Sequence, residues 1–174
     1  MHDDRDFTDS PQRRLGNLAL YLHPEDISED VPAEERRVLL VCKKYQQEKG
    51  ELRPWGLPGG CATTNEPADA ALLREVHDEL GIGAQLGRIL VVHQMPESED
   101  STEGINLVWE CAPIPDSTVI RLPQDELSAW AYVPMKDLDE YVKPHTRIRI
   151  EAAVDVANGT APGAVFLHGY PDVA

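Results

Sequence analysis

Apolar runs of strand length alternate with polar stretches in the N-terminal third of the chain. The runs 15–22 (LGNLALYL) and 37–43 (RVLLVCK) have the length and apolar or β-branched content of strands. The stretch 23–35 between them is acidic and interrupted by prolines, and residues 45–60 contain Lys-Gly, Arg-Pro and Gly-Gly pairs. Both stretches have the composition of loops. The pattern therefore predicts two strands and two long loops before the first regular helix.

The clearest periodicity in the chain lies between residues 66 and 80. Its apolar residues recur every four positions: Leu72, Val76 and Leu80. This spacing gives one apolar stripe along a helix. Asn65 is a suitable N-cap, and Gly81 stands where a helix commonly ends in a left-handed residue. We expect a helix over 66–80 that packs its stripe against a sheet.

Further strands and helices are predicted in the second half. Strand patterns occur at 88–93, 105–112 and 130–133, and the acidic segment 96–104 between the first two resembles a hairpin loop. Residues 134–142 predict a short helix. Residues 146–157 predict a longer one with these residues on one face: Ile148, Ala152 and Val156.

This order of elements predicts an α/β protein with one mixed sheet covered by helices. We expect a flexible leader at 1–14 and a single domain at 15–174, in which the Gly- and Pro-rich tail from residue 158 onward has no assigned element.

The net charge of the chain makes some classes of binding partner unfavourable. The chain has 31 acidic and 16 basic residues, a formal net charge of −15. Such a surface repels the phosphates of long nucleic acids and anionic lipid headgroups, so neither is an expected partner. A small anionic substrate would need a local cation to offset the negative field, which favours a bound metal ion.

Cysteine use and apolar run lengths bear on location. The three cysteines, Cys42, Cys61 and Cys111, lack metal-type spacing, and their sparse use fits a reducing cytoplasm. We expect Cys42 and Cys111 to be buried because both lie in apolar runs. No apolar run is long enough for a bilayer span, and the charged N-terminus lacks the apolar segment of a secretory signal. These features predict a cytoplasmic protein.

Three carboxylates at the end of the predicted helix are candidates for metal binding. Glu75, Asp78 and Glu79 are three and four positions apart, so they share one helical face. Clustered carboxylates repel one another unless they are offset, and Mg²⁺ or Mn²⁺ prefers such oxygen ligands. A solvated acidic surface explains the spacing equally well.

The glycine-rich segment before the helix strengthens the first interpretation. Gly56, Gly59 and Gly60 let the backbone approach a phosphate or a metal closely, although a tight turn without a ligand would use the same residues.

Residues 60–82 taken together resemble the Nudix box. That pattern is Gly, five residues, Glu, seven residues, then Arg-Glu-apolar-x-Glu-Glu-x-Gly-apolar. The chain matches it at the following positions: Gly60, Glu66, Arg74, Glu75, Val76, Glu79, Gly81 and Ile82. Asp78 stands where the family usually has Glu, which retains a carboxylate on a side chain shorter by one methylene. The preceding WGLPGG is also typical of the family.

The resemblance implies a fold and a chemistry. The fold would be an α/β/α sandwich around a mixed sheet. The reaction would be attack of water on a phosphorus of a nucleoside diphosphate linked to another group X. Mg²⁺ or Mn²⁺ would neutralise the diphosphate and lower the pKa of bound water.

The resemblance also implies roles for individual residues. Glu75, Asp78 and Glu79 would bind the metal, Arg74 would orient the carboxylates together with Glu66, and the backbone of Gly59 and Gly60 would lie beside the metal. These assignments leave the base open.

Acidic residues often precede a tryptophan-led strand in the family, and here Asp125 and Glu126 precede Trp130. Glu126 is therefore the candidate general base or extra ligand, and a solvated loop acid is the alternative.

Function beyond the family stays open at this point. An active hydrolase is favoured over a regulatory module that only binds a nucleotide, because every acidic position of the box is still acidic. The negative charge disfavours capped RNA ends relative to small nucleotides. Candidate substrates are nucleoside triphosphates, ADP-ribose, nucleotide sugars and dinucleoside polyphosphates. The resemblance also allows a homodimer.

Overall fold

The computed structural model describes residues 12–99 and 101–171. Residues 1–11 of the expected leader lie outside that part of the chain. The first strand begins at Arg14, the last residue of the expected leader. The rest of the described chain forms strands and helices in the order that an α/β sandwich requires.

Eight strands are present in the described residues: β1 (Arg14–Leu20), β2 (Arg37–Lys43), β3 (Trp55–Gly56), β4 (Gly59–Cys61), β5 (Leu86–Met95), β6 (Gly104–Cys111), β7 (Leu127–Pro134) and β8 (Val165–His168). The α-helices are α1 (Lys44–Glu48), α2 (Ala68–Leu80), α3 (Leu138–Tyr141) and α4 (Pro144–Ala157). All predicted strands are confirmed. The segment WGLPGG, predicted as a loop, instead contains β3 and β4, and the unassigned tail contains β8.

The strands form two sheets. One has the order β4-β1-β6-β5-β8 and the other β3-β2-β7. Strand β1 runs parallel to β6, and β5 runs parallel to β8, whereas β4 is antiparallel to β1 and β5 is antiparallel to β6. The acidic segment between β5 and β6 is a hairpin loop, as predicted, with Ser98 bridging to Ser101. The larger sheet is therefore mixed.

Helices cover the sheets on opposite sides. The stripe of α2 packs with one cluster of buried residues that includes Ala19, Tyr21 and Leu39. Helix α4 packs with the other cluster, which includes Leu20 and Leu40. Alternate residues of one strand point to opposite faces of a sheet, so β1 and β2 each contribute to both clusters. The α/β/α sandwich is confirmed.

Helix α2 begins two residues later than predicted. Its N-cap is Pro67, and Asn65 has a left-handed φ of 62° in the turn before it. A proline disfavours helical backbone in the residue before it, which keeps Glu66 out of the helix. The predicted N-cap at Asn65 was therefore wrong. The predicted end is confirmed, because Gly81 has a φ of 69°.

The buried face of α4 also differs from the prediction. Val156 is buried as predicted, whereas Ile148 and Ala152 are only partly buried. The other buried residues of the helix were not predicted: Arg149, Ile150, Ala153 and Val154. The prediction assumed that only aliphatic side chains face the sheet. An arginine on that face shifts the buried stripe around the helix.

None of the helices within residues 12–99 and 101–171 has both the length and the apolar character of a bilayer span.

Candidate active site

The candidate site lies where edge strand β4 meets α2. Gly60 pairs with Asn17 of β1, and a Cβ on Gly60 would lie 2.6 Å from Glu75 Oε1. Gly59 has a φ of 129°, and a Cβ there would lie 2.1 Å from the carbonyl oxygen of Asn17. Gly59 requires glycine for its backbone conformation, whereas a Cβ at Gly60 would displace the Glu75 carboxylate from its present position.

Glu79 is the most buried carboxylate of the site, with only 4% of the residue exposed. Its Oε1 accepts a hydrogen bond from Lys43 Nζ at 2.5 Å, and its Oε2 accepts one from the Gly59 backbone N–H at 2.7 Å. Lys43 Nζ also donates to the carbonyl oxygen of Gly59 at 3.1 Å. Burial raises the pKa of Glu79, and the ammonium of Lys43 opposes that rise.

Arg74 connects the start and the end of the box. Its Nε and Nη2 donate to the two oxygens of Glu66 at 2.8 and 2.9 Å, and its Nη1 donates to Glu75 Oε1 at 2.7 Å. Glu66 also accepts a hydrogen bond from the Thr63 backbone N–H. The hydrogen bonds from Arg74 and Thr63 lower the pKa of Glu66 to about 2. Arg74 therefore contacts both Glu66 and Glu75, and its orienting role stays a prediction.

Asp78 has a different environment from its two neighbours. Its side chain is 55% exposed and lies 4.0 Å from Arg74 Nη1. Asp78 is not among the residues that line the cleft containing Glu75 and Glu79. A role for it as a metal ligand stays a prediction.

The cleft at this edge has a volume of about 380 Å³ and contains acidic residues from two parts of the chain. Glu75 and Glu79 come from α2, and Asp125 and Glu126 come from the segment that precedes β7. The hydrogen bond from the Lys44 backbone N–H to the Glu126 carbonyl oxygen, 2.9 Å long, fixes that segment beside the start of α1. The fold therefore places Glu126 on the same cleft as Glu75 and Glu79, and its role as base or extra ligand stays a prediction.

The donor atoms of the cleft suit a hard divalent cation. Carboxylate oxygens of Glu75 and Glu79 line it together with Gly59 and Gly60, and oxygen ligands are those that Mg²⁺ and Mn²⁺ prefer. No three His, Cys, Asp or Glu side chains of the described residues already form a metal cage. Glu79 instead contacts Lys43, and Glu75 contacts Arg74.

The NUDIX domain family model matches residues 31–152, which include the whole box. The chain belongs to the NUDIX domain family.

Individual relatives agree with this membership. An ADP-ribose pyrophosphatase from Methanocaldococcus jannaschii is 28% identical over 98 residues, 56% of this chain and 56% of that protein. This chain spans about half the length of the curated relatives it matches.

A crystal structure of a MutT NUDIX hydrolase from Burkholderia pseudomallei has a TM-score of 0.62 and 27% identity, covering 82% of this chain and 98% of that one. The MutT protein from Methanosarcina mazei Go1 has a TM-score of 0.65 at 18% identity, covering 86% and 98%.

Two features of this NUDIX site were not predicted. Lys43, the last residue of β2, provides the cation that pairs with Glu79. A lysine directly after a buried apolar run was the available signal. A second cleft of about 610 Å³ continues from Gly59 and Gly60 to Arg149 of α4. No sequence pattern indicated it, because its walls come from distant segments.

Three aromatic residues near the sheet and the clefts have separate positions in the NUDIX fold. Trp109 Nε1 donates to Asn17 Oδ1 at 3.2 Å, which ties two strands of the sheet together. Tyr45 lines both clefts and Trp55 lines the larger one. Cys42 and Cys111 are buried as predicted, and Cys61 is exposed at the mouth of the larger cleft.

Proposed function

We propose that this chain hydrolyses the phosphoanhydride bond of a nucleoside diphosphate linked to a group X, with Mg²⁺ or Mn²⁺ bound at the box. The observation that carries the proposal is the cleft that Glu75, Glu79 and Glu126 line together with Gly59 and Gly60. Membership in the NUDIX family and a relative named ADP-ribose pyrophosphatase support it.

Each acidic residue has a separate task in this proposal. Glu75 and Glu79 hold the metal, and Asp78 adds a ligand from the exposed side of the same helix. The metal, when bound, offsets the charge of the diphosphate and lowers the pKa of water. Glu126 orients that water or accepts its proton.

Lys43 contacts oxygen atoms that could also bind the metal ion. Its ammonium contacts Glu79 Oε1 and the Gly59 carbonyl oxygen, two oxygens that are also suitable ligands for a divalent cation. Lys43 therefore offsets the charge of Glu79 when no metal is bound and competes with the metal for the same oxygens. Arg74 has the corresponding contact with Glu75.

Positioning and charge stabilisation account for most of the catalysis in phosphoryl transfer, so a covalent nucleophile is not required. Cys61 has no catalytic task in the proposal. The arrangement fits direct attack by water within a site already shaped by Arg74 and the two glycines.

The proposal is tested by screening the purified chain against a panel of nucleotides. The panel contains ADP-ribose, a nucleotide sugar, nucleoside triphosphates and a dinucleoside polyphosphate, each with Mg²⁺, with Mn²⁺ and with EDTA. We expect metal-dependent release of a nucleoside monophosphate or of phosphate from at least one compound. Tight binding of a nucleotide without turnover under either metal would instead support a regulatory module and contradict the hydrolase proposal.

A further inference from the structure

A buried arginine lies on the face of α4 that packs against the sheet. Arg149 is only 6% exposed, and its Nε donates to His93 Nδ1 at 3.1 Å. His93 is fully buried, and its Nε2 lies 2.8 Å from the carbonyl oxygen of Gly169. Because Nδ1 accepts from Arg149, the imidazole proton is on Nε2, which donates to Gly169. The neutral histidine therefore fixes the guanidinium from one side.

No carboxylate compensates this guanidinium among the described residues. Arg149 forms no ion pair with them; its histidine neighbours are His93 and His145, and burial lowers the pKa of each, that of His145 to about 4. Both are therefore neutral near pH 7. Burial also lowers the pKa of Arg149, to about 10, and Arg14 contributes to that shift. A buried charge without a counter-ion is unfavourable, so an arrangement that keeps one is suited to an anionic ligand.

The surroundings of Arg149 are basic and open to a ligand. It lines the cleft of about 610 Å³ together with Arg14, Lys49 and Lys143. Among the described residues that line the cleft, Glu51 is the one carboxylate, and Lys143 pairs with it at 2.8 Å. This wall is positive although the chain has a net charge of −15. Such a wall concentrates small anions near Arg149.

Sheet geometry separates Arg149 from the metal-binding end of the cleft. The residues paired across four adjacent strands form one row: Cys61, Gly16, Asn106 and His93. Three strand spacings of about 4.8 Å place β4 and β5 roughly 14 Å apart. A diphosphate held at Gly60 does not extend that far. An anion bound at the His93 end of this row would therefore be a group separate from a diphosphate at Gly60.

We propose that the guanidinium of Arg149, held in place by His93, binds a phosphate group at the end of the substrate remote from the box. The assignment of that group to a substrate rests on the proposed function, whereas the anion site itself does not. The planar guanidinium has a matching geometry for two phosphate oxygens, which lysine lacks. Lys143 and Arg14 add charge around it.

The test is phosphate binding by the metal-free protein, measured as the rise in Tm with inorganic phosphate in EDTA. Ionic strength is held constant with chloride, and acetate replaces phosphate in a parallel series to separate phosphate from carboxylate recognition. We expect a saturable rise for the wild type with phosphate and a smaller rise with acetate. In Arg149→Met the phosphate-dependent rise is lost, while the Tm without phosphate is equal to or above that of the wild type, because an uncompensated buried charge has been removed.

A matched control removes one positive charge from the same helix. Arg147 pairs with Glu151 and Asp139 and is not among the residues lining the cleft, so Arg147→Met should keep the phosphate-dependent rise. If Arg149→Met does not fold, Arg149→Lys keeps the charge without the planar geometry, and we expect phosphate to bind it about tenfold more weakly or worse.

Two results would overturn the site: an unchanged phosphate response in whichever Arg149 variant folds, or an Arg149→Met protein that folds but has a clearly lower Tm without phosphate. The second result would show a purely structural role. Neither measurement involves turnover, so failure of the hydrolase proposal in the nucleotide screen would be a separate outcome.

Discussion

Glu79 and Arg149 are both charged and almost fully buried, and they line two clefts that share Gly59 and Gly60, yet their charges are compensated differently. Glu79 has the ammonium of Lys43 and the N–H of Gly59 within hydrogen-bond distance. Arg149 has the neutral ring of His93 and no carboxylate among the described residues. The first charge is satisfied within the protein, whereas the second is available to a ligand.

The two residues show two different states of a buried charge: one is paired within the protein and the other is not. The ion pair with Lys43 stabilises the Glu79 carboxylate when no metal is bound. A metal ion that binds Glu79 must therefore replace the ammonium of Lys43. An uncompensated guanidinium lowers stability until an anion arrives. Removing Glu79 should therefore damage both the metal-free fold and the reaction, while removing Arg149 should affect ligand binding and leave the fold intact.

The largest expected effect is on turnover by Glu79→Gln. Glutamine keeps the shape of the side chain and loses the negative charge, so we expect kcat for the best panel substrate to fall about 100-fold or more. Asp78→Asn is the matched comparison on the same helix, and its exposed side chain predicts a smaller loss. Equal losses in both variants would contradict the different placement of the two residues.

Glu126→Gln tests the acid that comes from outside the box. If Glu126 orients water or accepts its proton, kcat should fall on the order of 100-fold, as is usual for a general base. Asp125→Asn is the control, because Asp125 lines the same cleft and precedes Glu126 directly. Steady-state rates across pH measure both. Full activity in Glu126→Gln would show that Glu126 is only a solvated loop acid.

Lys43→Met should destabilise the metal-free protein. It leaves Glu79 buried without its cation, which we expect to lower the free energy of unfolding by about 2 kcal/mol. Urea unfolding in EDTA measures the loss. Added Mg²⁺ should restore stability more in the variant than in the wild type, since the metal replaces the missing charge. A variant as stable as the wild type in EDTA would refute the compensating role of Lys43.

The smallest expected effect is a pH dependence at the Arg74 bridge. The folded pKa of Glu66, about 2, lies below the ordinary range of a glutamate, so its contribution to stability is complete above about pH 5 and is lost as the pH falls toward 2. The Tm of the wild type should therefore fall more steeply over this interval than that of Glu66→Gln.

Glu97→Gln serves as the control for that measurement, because Glu97 forms no ion pair with the described residues. Its Tm should follow the wild-type curve. Parallel curves for the wild type and Glu66→Gln would remove the bridge as a source of acid sensitivity.

The box helix could be predicted from sequence because the residues that determine it lie close together in the chain. Apolar spacing places the stripe of α2, Gly81 ends it, and the carboxylate spacing fixes which acids share a face. The prediction of where α2 starts was wrong for an equally local reason, because Pro67 excludes Glu66 from the helix. Local rules therefore predicted the helix that carries Glu75, Asp78 and Glu79, whose roles in the site stay predictions.

The basic half depends on contacts between residues distant in sequence. Arg149 contacts His93 across 56 positions, and His93 contacts Gly169 across 76. An arginine on the buried face of α4 contradicts the usual pattern of an amphipathic helix, so periodicity found Val156 and Ala152 but missed Arg149. The strand β8, which brings Gly169 to His93, lies in a tail whose composition indicated no element.

Binding of Mn²⁺ tests the central claim most directly, because the whole assignment depends on Glu75 and Glu79 holding a divalent cation at the edge of β4. Electron paramagnetic resonance can count free Mn²⁺ while the wild type and the Glu75→Gln/Glu79→Gln double variant are titrated, with and without ADP-ribose. We predict saturable binding to the wild type and binding at least tenfold weaker in the folded double variant. Equal Mn²⁺ binding by the two proteins, or none by the wild type even with the nucleotide present, would contradict the account.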